Sequence, residues 1–130
     1  EREWDAVLLD APCSATGIFR RHPDVLHRIV PADIANRAEL QALMLGAAAG
    51  AVRSGGTLIY AVCSMEPEEG EAQIAAFLER QPYWSIDPIR AEEIPAGLSI
   101  AEDGTLRITP PDLADLGGID GFFMARLKFG

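Results

Sequence analysis

Two short apolar runs stand out along the chain. Ala6, Val7, Leu8 and Leu9 follow one another between Asp5 and Asp10, as in a strand covered on both faces. Residues 57–62 make a second run of the same kind. Between them, Ile34, Leu40, Leu43, Met44, Ala47, Ala48, Ala51 and Val52 recur at helical spacing. Pro31 and Asp33 predict where that helix starts, and Gly55-Gly56 predicts its end just after Arg53. A second helix is expected over 67–80, because Pro67 suits a first turn and Glu68, Glu69 and Glu71 suit the positive end of the dipole. Its buried face would carry Ala72, Ala75, Ala76, Phe77 and Leu78. Residues 83–89 read as a third strand, 106–109 as a short one and 121–129 as the last. Pro12 and Gly17 mark a loop, residues 22–28 a short irregular or helical piece, and the Pro/Gly-rich stretch 90–120 has no sustained period.

Strand, helix, strand, helix, strand is an α/β pattern with a crossover between the first two strands. The expected sheet is mostly parallel with an antiparallel last strand. No glycine-rich strand-to-helix turn of the dinucleotide or phosphate type is present, since Gly55-Gly56 precedes a strand. The chain therefore reads as one partial domain over 1–130, the second half of a doubly wound fold.

Composition narrows the class. At 130 residues with 48% hydrophobic and 24% charged positions, the chain can bury a core and is not a disordered segment. It contains no run of the roughly 18 apolar residues that a membrane span needs, and no signal peptide is legible at Glu1–Trp4. Two cysteines 50 residues apart form neither a disulfide framework nor a metal knuckle, and free thiols fit a cytoplasmic enzyme better than a secreted protein. His22 and His27 lack metal-ligand spacing. The net charge of −9 is unusual for a nucleic-acid reader, but Arg20, Arg21, His22, His27 and Arg28 form a local basic rim next to the first cysteine.

The candidate chemistry lies where the two apolar runs end. Cys13 follows the first run in Asp10-Ala-Pro-Cys-Ser-Ala-Thr-Gly17, and Cys63 closes the second in Tyr60-Ala-Val-Cys-Ser64. If both runs are parallel strands of one sheet, both thiols emerge at its carboxyl edge, where open α/β sheets bind ligands. Trp4, Tyr83 and Trp84 have the chemistry to stack on bases, but packing is the simpler expectation.

These motifs, together with Arg21-His-Pro-Asp24, Gly55-Gly56, Glu69 and Gly118-Ile-Asp-Gly-Phe-Phe123, resemble the Sun/Fmu-type RNA (cytosine-5)-methyltransferases over nearly the whole chain. The resemblance implies the C-terminal half of a Rossmann-like catalytic domain, S-adenosylmethionine as cofactor and RNA, most naturally ribosomal RNA, as substrate. It implies Cys63 as the attacking nucleophile, Cys13 as the residue assisting product release, and Asp10 as a contact to the cofactor or the target base. The family's glycine-rich cofactor loop and any RNA-binding domain would lie upstream of residue 1, so the isolated piece should have little activity. Two positions depart from the family pattern: Val62 where threonine is frequent, and Ala15 where glycine is common.

Carbon 5 of cytosine is a poor nucleophile, and a thiolate adding at carbon 6 makes it a better one. Such a thiolate needs a pKa below the ordinary value near 8.5, for which the Arg20–Arg28 rim and the backbone amides near Pro67 are candidate causes. Residue chemistry alone does not order the two thiols. It also leaves open a non-catalytic remnant with buried thiols, and a redox protein using Cys13 and Cys63 as a dithiol pair.

Overall fold

Residues 4–130 are described by a computed structural model. Among them, five strands form one open sheet: β1 (Trp4–Asp10), β2 (Val52–Val62), β3 (Trp84–Ile86), β4 (Leu106–Ile108) and β5 (Phe122–Phe129). Their order is β1-β2-β5-β3, with β4 pairing the β5 edge beside β3. β1 and β2 are parallel, while β5 runs antiparallel to β2, β3 and β4. Four strands therefore share one direction and the last reverses, as the sequence pattern predicts. Three helices connect them: α1 (Val25–Arg28), α2 (Pro31–Ala51) and α3 (Glu71–Arg80), the last preceded by a single 3-10 turn at Pro67–Glu69.

The chain steps across the sheet in the same direction from β1 to β2 and from β2 to β3. Crossovers of one hand then put α2 and α3 on the same face, where they pack together. That face holds the core. Leu58, Tyr60 and Val62 alternate along β2, and Phe123, Ala125 and Leu127 along β5. They meet Leu45 and Ala49 of α2 and Ile74 and Phe77 of α3. Trp84 lies between Phe77 and Phe129, with ring centroids 5.7 and 5.1 Å away. On the opposite face of β5, Arg126 pairs with Asp87 and Glu93 of the irregular segment.

Several local expectations change. β1 is an edge strand rather than a buried one: Leu8 is 67% exposed and Trp4 61%. Val7 and Leu9 pack toward the core, but Leu8 points to the other face of the sheet, which no described element covers at β1. Tyr83 is exposed as well, so of the three aromatic candidates only Trp84 packs in the core. α2 ends at Ala51, four residues before Gly55, and the chain passes straight into β2. Residues 52–56 instead form a bulge, because Trp4 pairs with Val52 and Ala6 already with Thr57. Gly55 has φ 73° there, and a Cβ on Gly56 would lie 3.0 Å from the Asp5 carbonyl oxygen.

β3 is only three residues long: Asp87 N–H still donates to the Arg126 carbonyl at 2.9 Å, but Ile89 N–H turns away to the Gly104 carbonyl. The buried face of α3 is Gln73, Ile74 and Phe77, while Ala72 and Ala75 face solvent. Likewise α2 buries Gln41, Leu45 and Ala49 and exposes Leu40 and Leu43. In both helices a buried glutamine shares the apolar stripe, so a purely apolar count turns the face by about one position.

Candidate active site

The parallel pairing of β1 with β2 carries both cysteine loops to one edge. The ladder continues past the strand ends through Ala11 N–H to the Ala61 carbonyl (3.0 Å) and Gly17 N–H to the Cys63 carbonyl (3.0 Å). Thr16 Oγ1 accepts from Met65 N–H at 2.9 Å. The two loops are thus fastened along their length, and the Sγ atoms of Cys13 and Cys63 come to 3.5 Å. Both thiols are free and half-buried, since an S–S bond would need about 2.05 Å.

The loop geometry follows from small residues. A Cβ on Gly17 would lie 2.1 Å from the Gly121 carbonyl oxygen and 2.8 Å from that of Cys63, while Gly121 N–H donates to the Gly17 carbonyl at 2.7 Å. Only glycine fits between these two backbones. Gly17→Ala is therefore expected to destabilise the fold by roughly 2–3 kcal/mol through overpacking. Thermal or urea unfolding reads this directly, and an unchanged midpoint would mean the loops are not in contact as described.

Ala15, two residues after Cys13, has φ 57°, in the left-handed region. Glycine adopts this conformation without the side-chain clash, which is a physical reason to expect it at this position. Alanine carries a strain of about 1 kcal/mol at this position.

The thiols differ electrostatically. The hydrogen bond from Cys13 is the largest influence on Cys63 and, against partial burial, holds its pKa lowered to about 7. Its own backbone N–H helps, while Asp10 and Glu69 push the other way. The same hydrogen bond, together with burial, pushes the Cys13 thiol far up. Cys63 is thus the more acidic of the two, and where it ionises Cys13 is the donor. The basic rim is not the main cause. Arg28 pairs with Asp24, Arg20 donates to the Gly117 carbonyl and Arg21 pairs with Asp120, although Arg21 remains within electrostatic reach of Cys63. Asp10 is exposed at the end of β1, and its carboxylate makes no hydrogen bond or ion pair to a described residue.

Sequence reasoning missed two supports. Gln41 of α2, fully buried, donates to the Pro12 carbonyl at 3.0 Å and to Glu69 Oε2 at 2.8 Å. A lone glutamine on the apolar stripe Gln41, Leu45, Ala49 was the available signal. Arg107 of β4 donates to the Ser64 carbonyl, forms a two-pronged pair with Glu71 and lies 5.1 Å from the Phe123 ring centroid. Nothing near Arg107 in sequence pointed to that contact, which depends on β4 pairing with β5.

A cavity of about 350 Å³ opens beside Cys13, and Cys63 is not among its lining residues. Cys13, Ala15, Ile18, Val25 and Ile29 line it, with Arg28 and Arg37 at its rim. A second groove of about 440 Å³ runs between α2 and α3 past Leu43, Phe77 and Arg80, but neither cysteine lines it.

An open α/β sheet that carries two free thiols to its carboxyl edge has them where folds of this kind bind their ligands. The sequence profile of the 16S rRNA methyltransferase RsmB/F family matches residues 1–128, and the chain belongs to that family. The ribosomal RNA small subunit methyltransferase B of Thermus thermophilus is 40% identical over 94% of the chain. The chain spans 28% of that relative's length. Two crystal structures share the fold. PH0851 superposes with a TM-score of 0.85 at 33% identity, covering 98% of this chain and 27% of its own. NSun6 from Pyrococcus horikoshii with SFG gives 0.75 at 27% identity, covering 94% of this chain and 29% of its own. The Rossmann-like α/β fold expected from the sequence agrees with these structures.

Proposed function

We propose that this chain is the thiol-bearing part of an RNA (cytosine-5)-methyltransferase acting on small-subunit ribosomal RNA, with S-adenosylmethionine as methyl donor. The observation that carries this reading is the 3.5 Å sulfur pair in which Cys63 is the stronger acid. The named function of the Thermus relative supports the RNA substrate, and SFG, an analogue of S-adenosylmethionine, in the NSun6 structure supports the cofactor. An rRNA substrate and two free thiols agree with a cytoplasmic location.

The Cys63 thiolate forms a bond to carbon 6 of cytosine, and the carbon 5–carbon 6 π pair moves toward carbon 5. S-adenosylmethionine, when bound, supplies an electrophilic methyl group to that carbon. The carbon 5 proton must then leave, its bonding pair restoring the double bond as the Cys63–carbon 6 bond breaks and returns the thiolate. Cys13 assists here for a definite reason. Once Cys63 is a thioether, it no longer accepts as a thiolate, so the main influence raising the Cys13 pKa disappears. Cys13 then loses its proton to solvent more readily, and as the thiolate it takes up the carbon 5 proton in the release step.

The carboxylate of Asp10, without a partner among the described residues, suits a cofactor hydroxyl or ammonium group, or the amino group of the base. The cavity beside Cys13 combines apolar side chains that suit a flat ring with Arg28 and Arg37, which suit phosphate, and Asp33, which suits an amino group. Such a pocket receives a flipped or unpaired nucleotide, because stacking hides carbon 6. The open edge of β1 leaves room for further strands, and the exposed Trp4 and Leu8 for a layer over the other face of the sheet, both of which a longer protein would supply to complete the cofactor site.

The test is methyl transfer by the full-length protein to 16S RNA from labelled S-adenosylmethionine, followed by nuclease digestion. Label in 5-methylcytidine is expected. Label only in another nucleoside overturns the reading, and no transfer at all favours the non-catalytic remnant. The isolated 130-residue chain should transfer little, and a rate near that of the whole protein would show that no further cofactor residues are needed.

A further inference from the structure

Glu69 ends the 3-10 turn at Pro67–Glu69 and is completely buried. A carboxylate in such a place is costly unless its oxygens are fully engaged, and here the engagement is unusually directed. Oε2 accepts from Ser14 N–H at 2.9 Å and from Gln41 Nε2 at 2.8 Å. Oε1 accepts from the hydroxyls of Ser64, at 2.7 Å, and Ser14. The Glu69 backbone is pinned as well, since Tyr60 O–H donates to its carbonyl at 2.7 Å. All four donors to the carboxylate are neutral groups, and three of them belong to the residues that directly follow the cysteines.

We propose that Glu69 is a positioning residue whose carboxylate grips Ser14 and Ser64 and thereby sets the separation of the Cys13 and Cys63 sulfurs. Its importance for catalysis rests on reading those thiols as the reacting pair, but the positioning itself does not. The hydroxyl oxygens of Ser14 and Ser64 are 3.3 Å apart, so one acceptor oxygen reaches both. Ser64 Oγ also accepts from Glu66 N–H at 3.0 Å, which fixes its hydrogen toward Glu69. An acceptor-only group suits this geometry, because Ser14 N–H and the Gln41 amide N–H cannot reverse their roles. Without the carboxylate, the two loops lose the bridge next to each sulfur, and the Cys13–Cys63 hydrogen bond lengthens.

The test reads Cys63 alkylation by iodoacetamide against pH in the intact chain, with no RNA present. The direction of the change decides between two roles. As a nearby negative charge, Glu69 raises the Cys63 pKa, so losing that charge alone would lower the midpoint and speed labelling. As a positioning group it preserves the Cys13 hydrogen bond that lowers the pKa, so its loss raises the midpoint. Glu69→Ala is expected to raise it and to slow labelling at pH 7 about tenfold. Glu69→Gln keeps the shape and one accepting oxygen for the Ser14 and Gln41 N–H groups, but its amide NH2 group cannot accept from the two serine hydroxyls, so it should restore the labelling rate only in part.

In the Cys13→Ala background, Glu69→Ala should slow labelling no further, because both changes remove the same hydrogen bond. If Glu69→Ala does not fold, Ser64→Ala, which releases one side of the grip and leaves the charge, is expected to slow labelling in the same direction. A folded Glu69→Ala or Ser64→Ala protein whose midpoint stays near 7 or falls would overturn the proposal. Failure to methylate cytosine would count against the proposed function and leave this result untouched.

Discussion

Cys63→Ser lowers methyl transfer by the full-length protein roughly a thousandfold or more, with little change in stability. The serine hydroxyl has nearly the same size and retains a hydrogen bond to Cys13, so the half-buried site does not collapse. What disappears is the nucleophile: an alcohol near neutral pH supplies almost no anion, whereas Cys63 at about 7 is roughly half thiolate. The measurement is single-turnover transfer beside thermal unfolding. A fall in rate smaller than tenfold in a folded variant would mean that Cys63 does not form the bond to carbon 6.

The second large effect concerns acidity rather than bond formation. Cys13→Ala removes the hydrogen bond that is the principal cause of the lowered Cys63 pKa. The Cys63 alkylation midpoint should therefore move up from about 7 toward the ordinary cysteine range near 8.5. At pH 7 the thiolate fraction then drops from about half to a few per cent. Labelling slows on the order of tenfold, because the more basic thiolate is a somewhat better nucleophile. The sign is fixed by the linkage: a lowered pKa means thiolate gained as pH rises through 7, so wild-type labelling rises there and levels off above it. Burial and the charges of Asp10 and Glu69 remain in the variant and all oppose ionisation. A midpoint that stays near 7 would point to another source of acidity, with Arg21 the nearest candidate. The same substitution should let a cysteine-linked RNA complex accumulate, since release loses its base.

The sequence made the site legible because its key geometry is local to two strand ends. Once residues 6–9 and 57–62 are parallel neighbours, Cys13 and Cys63 must emerge together, and they do. The order of the thiols was not legible. It depends on which sulfur is more buried and which backbone amides face it, and on a hydrogen bond across 50 residues of sequence. Gln41, Gln73 and Arg107 were hidden for a related reason: a polar side chain looks like surface until its buried partner is placed. The exposure of β1 was misread because a continuous apolar run reports what a strand can pack against, not what lies beside it. Ala15 was noticed only as a departure from a family pattern, and its φ of 57° supplies the physical cause.

The central claim is that one particular sulfur attacks the base, and RNA carrying 5-fluorocytosine tests it most directly. Fluorine at carbon 5 cannot leave as a proton, so the bond between the attacking sulfur and carbon 6 persists after methyl transfer. With full-length protein and S-adenosylmethionine, digestion and peptide mapping should place the nucleotide on Cys63. A nucleotide on Cys13, or no covalent complex from protein that still methylates ordinary RNA, would contradict the account.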